Sequence, residues 1–261
     1  LVYIGSLTMD CGAYTPFLHA IREREKINDL LEELCGARLT FNYVRIGGVS
    51  FDITDELIGK IRRFLDAFES MVREIDQLIS FNEIFMRRCV NVGVISREDA
   101  LSYGLVGPNL RACGVDFDVR RDAPYSIYPE LDFKICVGTG RYGRAGDTFE
   151  RYYLRILEML ESVKILRQCL DKLPQGDISG NLPKKIKPEK GADAYVRVES
   201  SRGDLGVYIV SDGTENPYRL HMRTGSFNAL SIMHHTAPGM MIADVVAFFA
   251  SMDVIAPETD R

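Results

Sequence analysis

The sequence predicts a mainly α fold with a small antiparallel β region. Two observations carry this. Three long stretches repeat their apolar residues at helical spacing, and beyond residue 190 the period changes to two. A third is bulk: 261 residues, 46% of them hydrophobic, suffice for a large core in one domain or two. The expected organisation is one domain overall. A helical core spans 1–190, and a β-hairpin region with a C-terminal helix and tail spans 191–261.

The first helix is expected to start at Thr15-Pro16, where Thr caps free N–H groups and Pro fits the first turn. It runs to Leu34 and stops at Gly36. Its apolar stripe is Phe17, Ala20, Ile21, Ile27, Leu31 and Leu34. Arg24 falls inside that stripe, so its charge needs a partner, either on a salt-bridged face or in a contact between subunits. Before it, Asp10 stands with Cys11-Gly12 at a helix end, where a carboxylate can serve hydrogen bonding or proton transfer. Residues 38–50 read as extended and glycine-hinged.

Thr54 caps the second helix, about 55–80, whose apolar face runs from Leu57 to Ile79. Ser96 and Asp99 form a capping box for a short helix ending near Gly104. Residues 107–146, rich in Gly, Pro, Asp and Arg, read as ordered loops. The third helix covers about Asp147 to Leu173, with Tyr153, Ile156, Leu157, Leu160, Val163, Leu166, Leu170 and Leu173 on its apolar face. Pro183 to Lys190 is a basic linker. Tyr195–Glu199, Gly206–Val210 and Tyr218–Arg223 are expected strands, with a turn at 211–213. A last helix lies around Ala243 to Ser251.

Composition excludes several functions. The net charge of −5 lacks the basic footprint of nucleic-acid binding. No apolar run approaches a membrane span. No two of the six cysteines lie closer than 23 positions, so zinc-ribbon and ferredoxin spacings are absent, and reduced thiols are expected. Gly138, Gly140 and Gly143 are spaced like the glycines of a dinucleotide loop, yet no adequate apolar strand precedes them. His234 and His235 are adjacent and cannot face one metal from one helix face. The start at Leu1-Val2-Tyr3 has no signal-peptide features, and an N-terminal part is expected to be missing.

An ordered set of segments carries a resemblance. These are D10-C-G-A-Y-T-P-F17, R22-E-R-E25, N42-Y-V-R-I-G-G48, L110-R-A-C-G114 with D118-V-R120, and P124-Y-S126. S162-V-K-I165, E199-S-S-R-G203, Y208-I-V-S-D-G213, P217-Y-R219 and S251-M-D253 through D260-R261 follow. Together they resemble the D subunit of respiratory NADH-quinone oxidoreductase (complex I), a family related to the large subunit of nickel–iron hydrogenases. The resemblance implies a hydrogenase-large-subunit-like long-helix bundle, peripheral on the cytoplasmic side of the inner membrane. Its implied role is to form the quinone-reduction cavity of a proton-translocating complex with NAD as donor. The implied partners are the B subunit, which carries the terminal 4Fe–4S cluster, the C subunit, the ferredoxin-like I subunit and the membrane H subunit. No cofactor is implied for this chain itself.

Residue by residue, the resemblance makes Asp10 the aspartate that pairs with a quinone-site histidine, which lies with a companion tyrosine in the family's N-terminal part. It places Asp253, Ile255 and Arg261 on the quinone cavity, and Thr40 and Arg45 near the partner's cluster. Many relatives carry histidine where Thr40 stands. The short 174–195 linker resembles the branch with deazaflavin- and ferredoxin-linked relatives, which keeps open another donor or a quinone/methanophenazine oxidoreductase. A nickel site needs two C-x-x-C pairs, and neither occurs here. A non-nickel structural homologue of a membrane-bound hydrogenase large subunit is the remaining alternative.

Overall fold

The computed structural model describes residues 1–181, 183 and 185–260. Two expected features touch positions outside these: the linker's Lys184 and the cavity residue Arg261.

Three long helices dominate: α2 (Tyr14–Cys35), α3 (Asp55–Ile79) and α8 (Thr148–Asp171). The short helix α1 (Val2–Asp10) precedes them. Between α3 and α8 lie α4 (Glu83–Cys89), α5 (Arg97–Ser102), α6 (Gly107–Ala112), α7 (Val119–Asp122) and a 3-10 turn at Tyr128–Glu130. The expected loops of 107–146 therefore contain three helical turns. After the sheet come α9 (Gly225–Ser231), α10 (Met233–Thr236), α11 (Ile242–Ser251) and α12 (Ala256–Thr259).

Local chemistry explains most boundaries. Thr54 Oγ1 accepts from the Leu57 N–H at 3.2 Å, and Ser96 Oγ accepts from the Asp99 N–H at 3.0 Å. Asp147 caps α8 through the Glu150 N–H at 2.7 Å and ties it to the Asn91 N–H at 2.8 Å. Gly36 ends α2 at φ 75°. The start of α2 departs from expectation: it begins at Tyr14 with Ala13 as its cap, so Thr15 is already inside the helix and caps nothing. The turn from α1 supplies the geometry instead, with the Ala13 N–H bonded to the Thr8 carbonyl at 2.8 Å.

The small β region is larger than a hairpin. Strands β3 (Asp193–Ser200), β4 (Gly203–Ser211) and β5 (Pro217–Arg223) form an antiparallel meander with β4 central. Tyr208 pairs with Tyr195 on one side and His221 on the other. A two-residue ladder, β1 (Val44–Arg45) with β2 (Gly48–Val49), closes a tight hairpin in the segment read as extended.

Two apolar cores form. Ile4, Leu7, Leu65, Val72, Ile75, Phe85, Phe149, Tyr152 and Ile156 join α1, α3, α4 and α8. Each such side chain contributes roughly 1.5–3 kcal/mol on burial. Ile95, Leu105, Leu110, Ile232, Phe248 and Met252 form the second. Helix α11 packs on α1, α4 and α8, and α6 packs on β4. That last contact needs glycine: a Cβ on Gly107 (φ 57°) would lie 2.3 Å from Gly203 Cα.

Two helix faces differ from their sequence periodicity. In α8 Thr148 to Tyr152, Leu154 to Ile156, Val163 and Ile165 are buried; of the expected face Ile156 and Val163 are buried, Tyr153, Leu160 and Leu170 pack on the first core, and Leu157 and Leu166 are exposed. The N-terminal half of α8 is enclosed on all sides, and its arginines bond main-chain carbonyls that periodicity does not see. In α2 the buried residues are Pro16, Ala20, Glu23 and Asn28, and Ile27, Leu31 and Leu34 are half-buried.

Candidate functional site

A groove of about 450 Å³ opens where α1, α2, α3 and α8 meet the turns at Ser201-Arg202 and Asp253. Its walls are apolar: Tyr3 from α1, Ile27 from α2, Phe64 and Phe68 from α3, Met159 and Val163 from α8. These side chains follow from the helical spacing of the three long helices. Its polar groups are few: Arg24, Ser162, Ser201, Arg202 and Asp253. Apolar walls with a few convergent polar groups are the usual make-up of a small-molecule site, and the volume falls in the usual range.

Asp253 is held hard. It follows α11 in the left-handed region at φ 55°. The Arg202 Nε donates to its main-chain carbonyl at 2.9 Å, and Arg202 Nη2 to its carboxylate at 3.4 Å. Arg155 stands behind, 3.8 Å from the other carboxylate oxygen. Asn109 fixes the preceding residue by donating to the Met252 carbonyl at 2.9 Å. Arg202 also lies 3.6 Å from Glu258, which accepts from Ser226 and so ties α12 to α9.

Tyr3 forms the floor. The Arg155 guanidinium lies 4.0 Å from its ring centroid. Burial pushes the Tyr3 phenol well above its ordinary range, against the pull of Arg155 and Arg151. Its hydroxyl has no hydrogen-bond partner among the described residues. The groove thus offers cationic donors, one oriented carboxylate and an apolar body. It suits a molecule with an apolar frame and one or two carbonyl oxygens.

Of the site residues named from the sequence, this groove brings together Arg24 and Asp253. Arg24 is about a third exposed and pairs with Glu25 at 2.7 Å, so it is neither buried nor bare. Ile255, at the start of α12, is not on the groove wall; its N–H donates to Ser226 Oγ at 3.3 Å. Asp10 lies at the far end of α1, exposed and without an ion-pair partner among the described residues. Seven residues of helix put it roughly 10 Å from Tyr3 along the axis. A carboxylate at a helix C-terminus also opposes the macrodipole, by a few tenths of a kcal/mol.

Thr40 and Arg45 belong to a separate surface beside the β1–β2 hairpin. Thr40 is exposed at φ 56°, an unusual conformation for a β-branched residue. Arg45 donates from Nε to Ser50 Oγ at 2.9 Å. Around them Leu39, Val44, Ile46 and Phe51 are all exposed. At the base of this surface Arg38 pairs with Glu25, Asp29 and Glu32 at 2.6–2.7 Å.

Residues that the sequence reading passed over include Arg202, Arg155 and Tyr3. Arg202 stood within the quoted segment E199-S-S-R-G203, so a signal existed. Arg155 and Tyr3 had none, being ordinary helix positions until the chain folds. A second charged nest was also missed. Buried Arg111 meets Asp118 at 3.1 Å, Glu158 at 2.8 Å and Glu199 at 3.1 Å, joining α6, α7, α8 and β3. Burial pushes Glu199 up to about 6, although Arg111 and Arg120 pull it down.

No group of three or more His, Cys, Asp or Glu side chains suited to a metal ion occurs among the described residues. Among them no helix is long and apolar enough to cross a membrane.

With this geometry in place, comparison with known proteins identifies the class. Residues 10–192 and 184–261 match the family described as respiratory-chain NADH dehydrogenase, 49 Kd subunit. The chain belongs to this family. It is 57% identical over its whole length to the second D subunit of NADH-quinone oxidoreductase from Anaeromyxobacter dehalogenans, of which it spans 69%. It is 53% identical to the second D subunit of Sorangium cellulosum, spanning 68% of that protein, and 46% identical to the D subunit of Clostridium beijerinckii, spanning 69%.

Proposed function

We propose that this chain is the D subunit of a proton-translocating NADH-quinone oxidoreductase and forms the quinone-reduction cavity with the subunit that holds the terminal 4Fe–4S cluster. The observation that carries the reading is the groove over α1, apolar along its length and closed by the Arg202–Asp253 pair. Membership of the 49 kDa family and the names of its relatives support it.

In this reading the apolar walls take the isoprenoid-bearing face of the quinone. Arg202 supplies donors to a quinone carbonyl, and Asp253 accepts from the hydroquinone hydroxyl. Asp10, at the other end of the same helix, orients the proton-donating group supplied by the rest of the cavity. The exposed apolar hairpin carrying Arg45, with Thr40 at its base, docks on the cluster-bearing B subunit. Arg24 faces either the quinone or a neighbouring subunit. The C, I and H subunits complete the surroundings, on the cytoplasmic face of the inner membrane. NADH is the donor to the whole complex, and the cluster and quinone supply the electron chemistry.

Photolabelling tests the placement. A radiolabelled azido-quinone irradiated with the intact complex should mark peptides holding Leu1–Tyr3, Met159 or Ser201-Arg202, and excess quinone should abolish the mark. Displaceable label confined to other segments or other subunits would contradict it.

A further inference from the structure

We propose that Glu199 relays a proton to the quinone groove from a second, polar cavity that adjoins the groove at Ser162 and Ser201. The relay deepens the quinone reading and rests on it. Reducing a quinone to a hydroquinone consumes two protons, and the walls of the groove are mostly apolar.

The second cavity measures about 120 Å³, room for a few waters, and is lined by Arg111, Arg120, Lys134, Glu158, Glu161 and Glu199. Ser162 and Ser201 line both this cavity and the groove, so the two spaces share a wall that carries hydroxyls. Arg202 Nη1 donates to Ser201 Oγ at 3.1 Å, which leaves the Ser201 O–H to donate elsewhere. The Ser162 O–H donates to the Glu158 carbonyl at 2.8 Å, which leaves its oxygen to accept.

Charge balance in the cavity calls for one proton. Arg111 Nη2 lies 2.8 Å from Glu158 and 3.1 Å from Glu199, and its Nη1 lies 3.1 Å from Asp118. Arg120 donates twice to Asp118, at 2.7 and 2.9 Å. Two guanidiniums thus meet three carboxylates. Asp118 keeps its charge: against burial, Arg120 and Arg111 hold it below the usual carboxylate range. The Glu158 side chain is 21% exposed and solvated, whereas that of Glu199 is 8% exposed. The proton therefore belongs to Glu199, whose value of about 6 lets it take up and release a proton close to neutrality. At the rim, Glu161 accepts from the Lys134 main-chain N–H at 2.9 Å and pairs with Lys164 at 3.1 Å. Tyr125 Oη accepts from the Glu199 main-chain N–H at 3.0 Å and holds that end of β3 in place.

The step moves a proton and no electrons. The O–H bond of protonated Glu199 breaks. The proton passes through cavity water and the hydroxyls of Ser162 and Ser201 to an oxygen of the reduced quinone, where a new O–H bond forms. Glu199 is left as a carboxylate and is reprotonated from solvent past the partly exposed Glu158.

The test is quinone reduction by the intact complex with Glu199→Gln, which reproduces the shape of the protonated side chain and cannot exchange a proton. At about pH 6, kcat should fall about tenfold with KM unchanged, because Glu199 does not touch the quinone. The ratio of wild-type to variant kcat should shrink toward unity by about pH 8, where wild-type Glu199 has lost its proton. Glu199→Asp keeps an exchangeable carboxyl, so its kcat should decline with pH as wild type does; this variant carries the test if Glu199→Gln does not assemble. An unchanged kcat in Glu199→Gln would mean direct supply from solvent, and a ratio constant with pH would mean a structural role. Either overturns the relay, as does a pH-independent kcat in Glu199→Asp. The azido-quinone label separates the two levels. Label that stays displaceable in the groove of Glu199→Gln beside either negative result leaves the quinone reading standing. Wild-type label that never falls on the groove removes that reading and the relay with it.

Discussion

Arg202 grips Asp253 twice, at its main-chain carbonyl and at its carboxylate, and so fixes a left-handed residue at the mouth of the groove. Two properties of Asp253 can be separated. Its backbone needs a residue tolerant of positive φ, and its carboxylate faces the groove. Asn keeps the first and removes the charge. Asp253→Asn should cost under about 1 kcal/mol in stability, yet raise the quinone KM or lower kcat by about tenfold. Thermal melting and steady-state kinetics of the complex decide it. Equal stability with unchanged kinetics would take Asp253 out of the cavity chemistry.

Glu199 gives a pH signature. Its folded-state value of about 6 lies above the ordinary 4.5, so folding favours the protonated form. This contribution is fully present below pH 4.5 and is lost as pH rises through 6. The size is about 2 kcal/mol for a group this buried. Glu199→Gln should remove that slope. Hydrogen exchange of β3 amides, corrected for intrinsic rates, should show wild-type protection falling by most of this amount between about pH 4 and 7 and the variant staying flat. An identical slope in both would assign the titration to another group.

Arg151 is fully buried without a carboxylate partner among the described residues and donates to the Gly146 carbonyl at 2.6 Å, Gly93 carbonyl at 3.0 Å and Ser251 Oγ at 2.9 Å. It stitches α8 to α11 and to the 91–95 turn. Arg151→Met fills the volume but leaves the Gly93 carbonyl without its donor, the Gly146 carbonyl keeping the Ile95 N–H, at a cost of about 2 kcal/mol. Proteolysis of the chain within the complex should begin at a lower temperature and cut near residues 91–95. A variant as resistant as wild type would show that water replaces the guanidinium.

Much of the fold was legible because its signals are local. Helix α3 announces itself by Thr54 and a sustained stripe, and the meander by alternation from Tyr195 to Arg223. Helix α1 carries no cap and is buried on most sides, so periodicity is silent there. The first turns of α8 were under-read because Arg151 turns inward to carbonyls of the turns at Gly93 and Gly146, which periodicity does not see. The groove was half legible. Arg24 and Asp253 stood out, whereas Tyr3, Arg155 and Arg202 become one site when α1 meets residues some 200 positions away. Asp10 was marked by its place at a helix end and given a role by resemblance, and its place on α1 links it to the groove.

That link is the most direct point of attack. Asp10→Asn keeps shape and hydrogen-bonding capacity, and the exposed position gives it little structural weight. In the full-length protein, with assembly checked by native electrophoresis, quinone reduction should fall by about tenfold or more. Undiminished turnover in a fully assembled complex would contradict the account and leave the chain as scaffold.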